Sequence, residues 1–162
     1  MKTNDTHEYV AQLVWRGNTG AGTINYRSYS RNYEVIVQGK EPLSGSADPR
    51  FRGDAALLNP EDLVISALAA CHMLTYLALC AREGISVEHY EDRATALMQF
   101  TEDGGGSFVE ASLHPVVHVT DPSSVEKAKH LHARAHELCF VAQSMGFPVR
   151  NFPTIMVVAK NA

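Results

Sequence analysis

The sequence feature that most constrains the fold is a long apolar segment in the middle of the chain, at residues 59–84. Asn59 is a good helix N-cap, Pro60 suits the first helical position, and Gly84 is typical of a helix end. Between them, residues 63–81 are apolar on almost every side of a helix. A helix with this pattern is buried all round, so we expect it at the centre of the fold.

The segment before this helix carries strand patterns. Three β-rich runs lie at residues 10–15, 23–29 and 33–37. A polar loop that contains glycine and proline follows at residues 39–54, and a loop of this length in a compact domain is often functional. We therefore expect three strands and one functional loop ahead of the helix.

The segment after the central helix predicts a hairpin, a second helix and a last strand. Residues 85–100 and 107–119 are expected to pair as two long antiparallel strands around a glycine-rich turn. The element order β-β-β-α-β-β-α-β favours an α+β fold with helices packed on antiparallel sheets.

The second helix has a recognisable start signal. Ser123 and Glu126 have the spacing of a capping box, in which each side chain bonds the backbone of the other. The helix is expected to continue to Met145, before Gly146. The last strand is expected within residues 152–159.

Length and charge exclude several classes of protein. The 162 residues predict one domain over residues 1–162. A net charge of −4 without a basic cluster argues against nucleic acid and anionic membrane surfaces as partners. No uninterrupted apolar run reaches the ~18 residues of a membrane span. The polar residues 1–9 lack the apolar core of a signal peptide, so we expect a cytoplasmic protein.

Three cysteines in a cytosolic chain do not indicate a disulfide framework. Cys71 and Cys80 are nine residues apart on one helix, which places them ~13 Å apart along its axis and half a turn out of phase. A disulfide needs Cα atoms within about 7 Å, so these two cannot pair, and Cys80 is predicted to be structural. Cys139 on the second helix can meet Cys71, for redox chemistry, metal binding or packing.

Histidines supply the metal alternative. His132, His136 and Cys139 are spaced i, i+4, i+7 and share a helix face, which with Cys71 gives four possible zinc ligands. His132 lies near the front of the second helix, where we expect a surface position. His72 is expected to be a hydrogen-bonded histidine of the core or of an interface.

Several segments together resemble one known family. An Asn-Pro-Glu-Asp-Leu segment at residues 59–63 is followed by Ala-Ala-Cys at 69–71 and Ala-His-x-x-Cys at 135–139. Arg-Phe-x-Gly at residues 50–53 and Trp-x-Gly at 15–17 also match. The chain thus resembles the OsmC/Ohr superfamily, the osmotically inducible protein C and organic hydroperoxide resistance proteins. His72 and Phe140 depart from the pattern, in which phenylalanine and proline commonly follow the two cysteines.

The resemblance implies a fold, an assembly and an activity. It implies an OsmC-like α+β fold with two long central helices enclosed by antiparallel sheets, in an obligate, intertwined homodimer. It implies a cofactor-free thiol peroxidase that reduces organic hydroperoxides to alcohols and is reset by an external dithiol of the lipoyl type. The alternatives are a non-catalytic protein of this fold that binds a small apolar ligand, and the zinc site.

The resemblance also assigns roles to residues. By position, Cys71 matches the peroxidatic cysteine, which becomes a sulfenic acid, and Cys139 matches the resolving cysteine, which forms a disulfide with it. Glu61 matches the glutamate of the Asn-Pro-Glu motif. Arg50 matches the arginine of the Arg-Phe pair, with Arg52 as a second candidate. An arginine held by a carboxylate would favour the thiolate of the nucleophile.

Helix geometry adds a prediction of its own. Glu61 and Cys71 are ten residues apart, or ~15 Å along one helix, so they cannot touch within one chain. If the carboxylate serves the thiol, it comes from a second subunit related by a two-fold axis. We therefore predict an active site at a dimer interface.

Overall fold

The computed structural model describes residues 6–159. The chain divides into two compact units, Met1–Leu63 and Val64–Ala162, each built on its own sheets. The long central helix begins in the first unit and continues in the second. The α+β class is confirmed, whereas the single domain over residues 1–162 stays a prediction.

The first unit contains a three-stranded antiparallel sheet. Its strands, β1 (Gln12–Trp15), β2 (Tyr33–Ile36) and β3 (Leu43–Gly45), lie in sequence order. The first two confirm predicted strands, and β3 lies inside the predicted loop at residues 39–54.

The predicted strand at residues 23–29 is wrong, because this segment forms turns. The Asn18 side-chain oxygen accepts bonds from the N–H groups of Gly20 and Gly22 at 2.9 and 3.0 Å. Ser28 donates its hydroxyl to the Asn25 carbonyl at 2.9 Å. Short polar side chains of this kind bond the local backbone and compete with strand pairing.

The central helix α1 spans Pro60–Arg82. Its start is a reciprocal capping box: the Asp62 N–H donates to Asn59 Oδ1 at 2.7 Å, and the Asn59 N–H donates to Asp62 Oδ2 at 3.1 Å. The predicted N-terminus is therefore confirmed. Gly84 follows the helix with a φ of 71°, the left-handed conformation that ends many helices.

The burial of α1 differs from the expectation. Its fully buried residues form one stripe at four-residue spacing, namely Leu68, His72, Tyr76 and Cys80. Leu74, on another face, is 63% exposed. The prediction that the helix is buried all round within its own chain is therefore wrong.

The composition of α1 also bears on membranes. Its most apolar window has a mean hydropathy of 2.0, and by length and composition alone α1 could cross a bilayer. The expectation that nothing in the chain meets this criterion, which rested on uninterrupted runs, is wrong for α1. The core helix of a soluble protein has the same length and composition, so this is weak evidence for a span.

The predicted long hairpin exists, but it is divided between two sheets. Strands β4 (Val87–Asp92) and β5 (Thr95–Phe100) are followed by β6 (Gly106–Leu113) and β7 (Pro115–Val119). β5 pairs antiparallel with β6, and β4 pairs antiparallel with β7.

The hairpin divides at His114 and Pro115, where no backbone N–H is available to pair with a neighbouring strand. Pro115 has no N–H to give, and the His114 N–H donates to the Asp92 side chain at 2.7 Å instead of to a strand. The hairpin therefore breaks between β6 and β7, and its two halves belong to different sheets.

The C-terminal segment adds one parallel strand to each of these sheets. β8 (Val149–Asn151) pairs with β6, and β9 (Thr154–Val157) pairs with β7. The strand orders are β5-β6-β8 and β4-β7-β9. Both sheets are therefore mixed, which corrects the expectation of purely antiparallel sheets.

The second predicted helix is two helices, α2 (Val125–Leu138) and α3 (Phe140–Ser144). Cys139 interrupts them with extended backbone at φ −74° and ψ 107°. The predicted capping box is wrong, because Asp121 accepts the Ser123 N–H at 2.8 Å and caps a 3-10 turn before α2.

The second unit has two packed clusters, one on each sheet. The first half of α1 contributes Leu68 to a cluster with Leu113 and Cys139. The second half contributes Tyr76 and Cys80 to the other. One helix thus provides the apolar surface that both small sheets cover.

We predict that Leu68→Ala lowers the free energy of unfolding by about 2–5 kcal/mol, because it leaves a cavity in a filled core while keeping helix propensity. Leu97→Ala, at a strand position that is 57% exposed, is the control and should change it by about 0.5 kcal/mol or less. Urea denaturation measures both. Equal losses would contradict the burial pattern of α1.

Candidate active site

The two cysteines predicted to act together lie against each other. The Cys71 thiol lies close enough to Cys139 to raise the pKa of the Cys139 thiol, and both residues pack in the cluster that contains Leu68. Both cysteines are free thiols. Cys71 is half-buried on α1, whereas Cys139 is 0% exposed.

The break between α2 and α3 fixes the position of the Cys139 sulfur. The thiol caps α3, because its sulfur accepts the Ala142 N–H at 3.4 Å. The Gln143 side chain donates to the His136 carbonyl at 3.0 Å and so satisfies an acceptor near the end of α2. Cys139 therefore has a structural task at a helix start as well as a position beside Cys71.

The environment of Cys139 disfavours the thiolate form of this residue. Burial, and then the neighbouring Cys71 thiol, raises the pKa of Cys139 to about 11, although the Ala142 N–H acts in the opposite direction. Cys139 is therefore a protonated thiol at neutral pH. A nucleophile must also be reached by its substrate, and Cys71 is half-buried whereas Cys139 is fully buried. Cys71 is therefore the better placed nucleophile.

An apolar groove of about 400 Å³ is lined by residues that neighbour the two cysteines. Its lining includes Thr75, whose hydroxyl donates to the backbone carbonyl of Cys71 at 2.8 Å, and both residues that flank Cys139. Its lining consists of Leu74, Thr75, Ala78, Leu79, Arg82, Leu138 and Phe140. A groove of this size and composition suits an apolar molecule with few atoms.

Cys80 lies apart from this pair. It is 1% exposed and packs with Tyr76, Val117 and Ala135 in the other cluster. Burial raises the pKa of its thiol. Its predicted role as a core residue is confirmed.

Two buried histidines lie between α1 and α2. His72 Nε2 and His132 Nδ1 share a hydrogen bond of 3.0 Å, and the rings are nearly parallel at 12°. His72 is 0% exposed, as expected of a hydrogen-bonded core histidine. The surface position expected for His132 is wrong, since it is 1% exposed.

Both rings are neutral at physiological pH. Burial, followed by the neighbouring His136, lowers the pKa of His72 to about 4. Burial, followed by His72, lowers the pKa of His132 to about 3. A signal for His132 was present in the sequence, because the buried Ala128 and Ala135 share its helix face.

The four residues proposed as zinc ligands are not arranged as a metal site. His132 bonds His72, and Cys139 contacts Cys71. Within residues 6–159, no group of three or more His, Cys, Asp or Glu side chains is placed to hold a metal ion.

Arg50 and Arg52 lie in a tight turn of the first unit. Asp48 accepts the Arg50 N–H through its side chain at 2.7 Å and the Gly53 N–H through its carbonyl at 3.1 Å. Arg52 has a φ of 66°, which is uncommon for a residue other than glycine. A Cβ at residue 53 would lie 1.5 Å from the Ala47 carbonyl oxygen, so only glycine fits there.

Glu61 occupies the first turn of α1, in the first unit. It lies near Tyr33, because burial and then the negative charge of Glu61 raise the pKa of that phenol. The structure thus places Arg50 and Glu61 in the first unit and the two cysteines in the second. The catalytic roles of all four residues stay predictions.

The sequence pattern of the family of OsmC-like proteins matches residues 53–150. The chain belongs to the OsmC-like family. The match includes Glu61, Cys71 and Cys139, and it confirms the resemblance drawn from their motifs. No curated protein sequence matches the chain.

Solved structures of OsmC-like proteins share this fold. An OsmC-like protein of unknown function from Vibrio cholerae O1 biovar eltor superposes with a TM-score of 0.82 at 28% identity, over 92% of this chain and 100% of the other. The organic hydroperoxide resistance protein OsmC of Legionella pneumophila gives 0.67 at 21% identity, over 94% and 99%. An organic hydroperoxide resistance protein of Bacillus subtilis gives 0.56 at 21% identity, over 91% and 98%. The last two establish the fold alone.

We predict that stability falls on acidification between about pH 6.5 and pH 4. An unfolded histidine binds its proton near pH 6.5, whereas folded His72 and His132 bind theirs near 4 and 3, so acid favours the unfolded state. Urea midpoints measured from pH 7 to pH 4 should therefore decrease, and the decrease should be smaller in His132→Phe.

The exposed His130, on the same helix, supplies the control. His130→Phe should keep the wild-type dependence on pH. A wild-type midpoint that does not change over this range would contradict the assignment of a neutral buried pair.

Proposed function

We propose that this OsmC-like protein is a thiol peroxidase that reduces organic hydroperoxides to alcohols. The observation that carries the proposal is the interaction between the Cys71 and Cys139 thiols, the two residues that the resemblance matches to the peroxidatic and resolving cysteines. Organic hydroperoxide resistance proteins from Legionella pneumophila and Elizabethkingia anophelis have the same fold, and we extend to this chain the chemistry that their names indicate.

The first step oxidises Cys71. Its thiolate attacks the terminal oxygen of the hydroperoxide, an S–O bond forms, and the O–O bond breaks. The alkoxide takes up a proton and leaves as the alcohol, while Cys71 becomes a sulfenic acid. The half-buried position of Cys71 supports this role, because the fully buried Cys139 is closed to a substrate.

The second step uses the contact between the thiols. The Cys139 thiol loses its proton, its sulfur attacks the Cys71 sulfenic sulfur, and the oxygen leaves as water. A Cys71–Cys139 disulfide results. An external dithiol then reduces the disulfide by exchange, so the cycle needs no cofactor and obtains both electrons from thiols. A compartment that keeps thiols reduced, such as the cytoplasm, suits such a cycle.

The groove beside the thiols supports an apolar substrate. Its lining includes Thr75, which bonds the backbone carbonyl of Cys71, and Leu138 and Phe140, which flank Cys139 in sequence. The alkyl part of an organic hydroperoxide would bury apolar surface there, which hydrogen peroxide cannot do.

We propose that the site is completed by a second copy of the chain. Glu61 is ten residues from Cys71 along α1, about 15 Å, so its carboxylate cannot reach the thiol of its own chain. The exposed apolar face of α1, including Leu74 at 63%, supports burial against a partner. In this homodimer, Glu61 would hold Arg50, and the guanidinium would stabilise the Cys71 thiolate and the leaving oxygen.

The peroxidase proposal predicts a loss of thiols. Reduced protein mixed with cumene hydroperoxide should lose two thiols per chain, because Cys71 and Cys139 form a disulfide while the buried Cys80 stays free. Thiol titration and mass spectrometry measure this. Cys71→Ser should lose none.

Cys80→Ser is the matched control and should behave as the wild-type protein does. Cys139→Ser should stop at an oxidised Cys71. If the wild-type protein keeps all its thiols, the peroxidase proposal is wrong and binding of an apolar ligand becomes the better account of the groove.

The interface proposal predicts complementation between inactive variants. Cys71→Ser and Glu61→Gln should each be inactive as homodimers. Co-refolding equal amounts should restore about a quarter of the wild-type activity, because half of the dimers are mixed and each keeps one intact site. Turnover of cumene hydroperoxide with a dihydrolipoyl reductant measures this.

A mixture of Cys71→Ser with Cys139→Ser is the control and should stay inactive, since these two residues act within one chain. No recovery in the first mixture would refute a site shared between subunits.

A further inference from the structure

The buried pair His72 and His132 has a geometry that the proposed peroxidase steps do not use. Each neutral imidazole has one nitrogen that carries hydrogen and one that does not. The hydrogen bond of 3.0 Å between His72 Nε2 and His132 Nδ1 therefore leaves one free nitrogen at each end of the pair. These two atoms, His72 Nδ1 and His132 Nε2, are buried and have no hydrogen-bond partner.

The pair has two alternative arrangements of its hydrogens. If His72 donates, the outer hydrogen lies on His132 Nε2, and if His132 donates, it lies on His72 Nδ1. Conversion between the two takes up a proton at one end and releases one at the other. The two unpartnered atoms are therefore the two ends of a possible proton path.

One end of the path reaches a surface pocket. His132 lines a pocket of about 350 Å³ whose rim includes Glu126, Lys129 and His130 of α2. Asn151, from β8, also lines it, and its side-chain oxygen is buried without a partner. Water in this pocket can exchange protons with bulk solvent.

The other end of the pair belongs to the residue that follows Cys71 in sequence. His72 directly follows Cys71 on α1, and it is close enough to His136 for their charges to interact. His136 lies three residues before Cys139 on α2, and its Nδ1 is buried and unpartnered. His72 and His136 thus belong to the cysteine-bearing parts of the two helices, and His132 belongs to the lining of the pocket.

The other groups around the pair do not compete for its protons. Tyr76 of α1 stacks on His132 with ring centroids 3.8 Å apart, and Tyr90 of β4 lies 6.5 Å away. Burial raises the pKa of both phenols, so they stay protonated at neutral pH. The lowered pKa of each imidazole keeps the pair neutral, as a relay requires.

We propose that His72 and His132 form a buried proton relay that connects the Cys71–Cys139 region with the pocket lined by Glu126 and His130. The proposal rests on the peroxidase function proposed above. It assigns to the relay the step in which Cys139 attacks the Cys71 sulfenic acid.

The attack of Cys139 on the Cys71 sulfenic acid requires the removal of a proton from the Cys139 thiol. The Cys139 thiol has no exposed surface and must lose its proton before its sulfur forms the S–S bond. The S–O bond of the Cys71 sulfenic acid breaks, and its oxygen leaves with both bonding electrons as hydroxide, on the accessible side of Cys71. The relay carries the thiol proton through His136, His72 and His132 to solvent, where hydroxide and proton make water. In reduction of the disulfide the relay returns a proton to Cys139.

The relay can be tested without a peroxide. In the full-length protein labelled with ¹⁵N-histidine, fast exchange between the two arrangements should give averaged shifts for all four ring nitrogens of His72 and His132 at pH 7. His132→Phe should fix His72 in one tautomer and remove the averaging. A single fixed tautomer on both rings of the wild-type protein would overturn the proposal.

The kinetic test separates the two oxidation steps. In stopped flow with cumene hydroperoxide, the phase that depends on peroxide concentration reports attack by Cys71, and the later independent phase reports disulfide formation. His72→Phe and His132→Phe should slow only the later phase, by about 100-fold, as expected for loss of positioned proton transfer. The exposed His89→Phe is the control and should change neither phase.

Rescue distinguishes a relay from a structural role. In His132→Gly, added imidazole should enter through the pocket and restore the later phase, with a solvent isotope effect like that of the wild type. Slowing without rescue, or no slowing in either phenylalanine variant, would overturn the relay. If the wild-type protein loses no thiols, the peroxidase function fails by itself, and the nitrogen shifts still decide whether the relay exists.

Discussion

The packing of one stripe of α1 against two separate sheets is the constraint on which the second unit depends. Leu68 packs in the cluster on β5-β6-β8, whereas Tyr76 and Cys80 pack in the cluster on β4-β7-β9. One flat hairpin cannot cover both ends of a helix about 35 Å long, because twisted sheets diverge from a straight axis. The break at His114 and Pro115 lets each half of the hairpin cover its own half of α1.

The same stripe determines where Cys71 lies. Residues at four-residue spacing occupy the buried line, and Cys71 directly precedes His72, so its side chain points about 100° away from that line. The thiol is therefore at the edge of the core and half-buried. A position at the edge combines access for a substrate with contact to the core, where Cys139 is held by the start of α3.

Sequence reasoning succeeded where a local pattern determines the structure. The N-cap at Asn59 and the end of α1 depend on nearby residues, and both were predicted. It failed where a competing side chain bonds the local backbone, as at residues 23–29, Ser123 and Cys139, and where a distant partner decides. The extended backbone at Cys139 follows from the thiol acting as a cap, and no glycine or proline announces it. The burial of His132 depends on His72, which is 60 residues away in sequence.

Some parts of the candidate site could likewise be predicted from the sequence, and others could not. Motif order brought Cys71 and Cys139 together as candidates, and the contact between their thiols agrees with it. Helix geometry alone separated Glu61 from Cys71 and pointed to a second chain. The groove whose lining includes Thr75 was not predictable, because it depends on how the α2–α3 break packs beside α1.

The energetics of the histidine pair argue that stability is not the reason for its presence. The shared hydrogen bond contributes about 1 kcal/mol, whereas each buried nitrogen without a partner costs about 1–3 kcal/mol. Two aromatic hydrocarbon rings would fill the space between α1 and α2 without that loss. Because buried polar groups that lower stability are found most often where chemistry needs them, the pair is better explained by proton movement beside two reactive thiols than by packing.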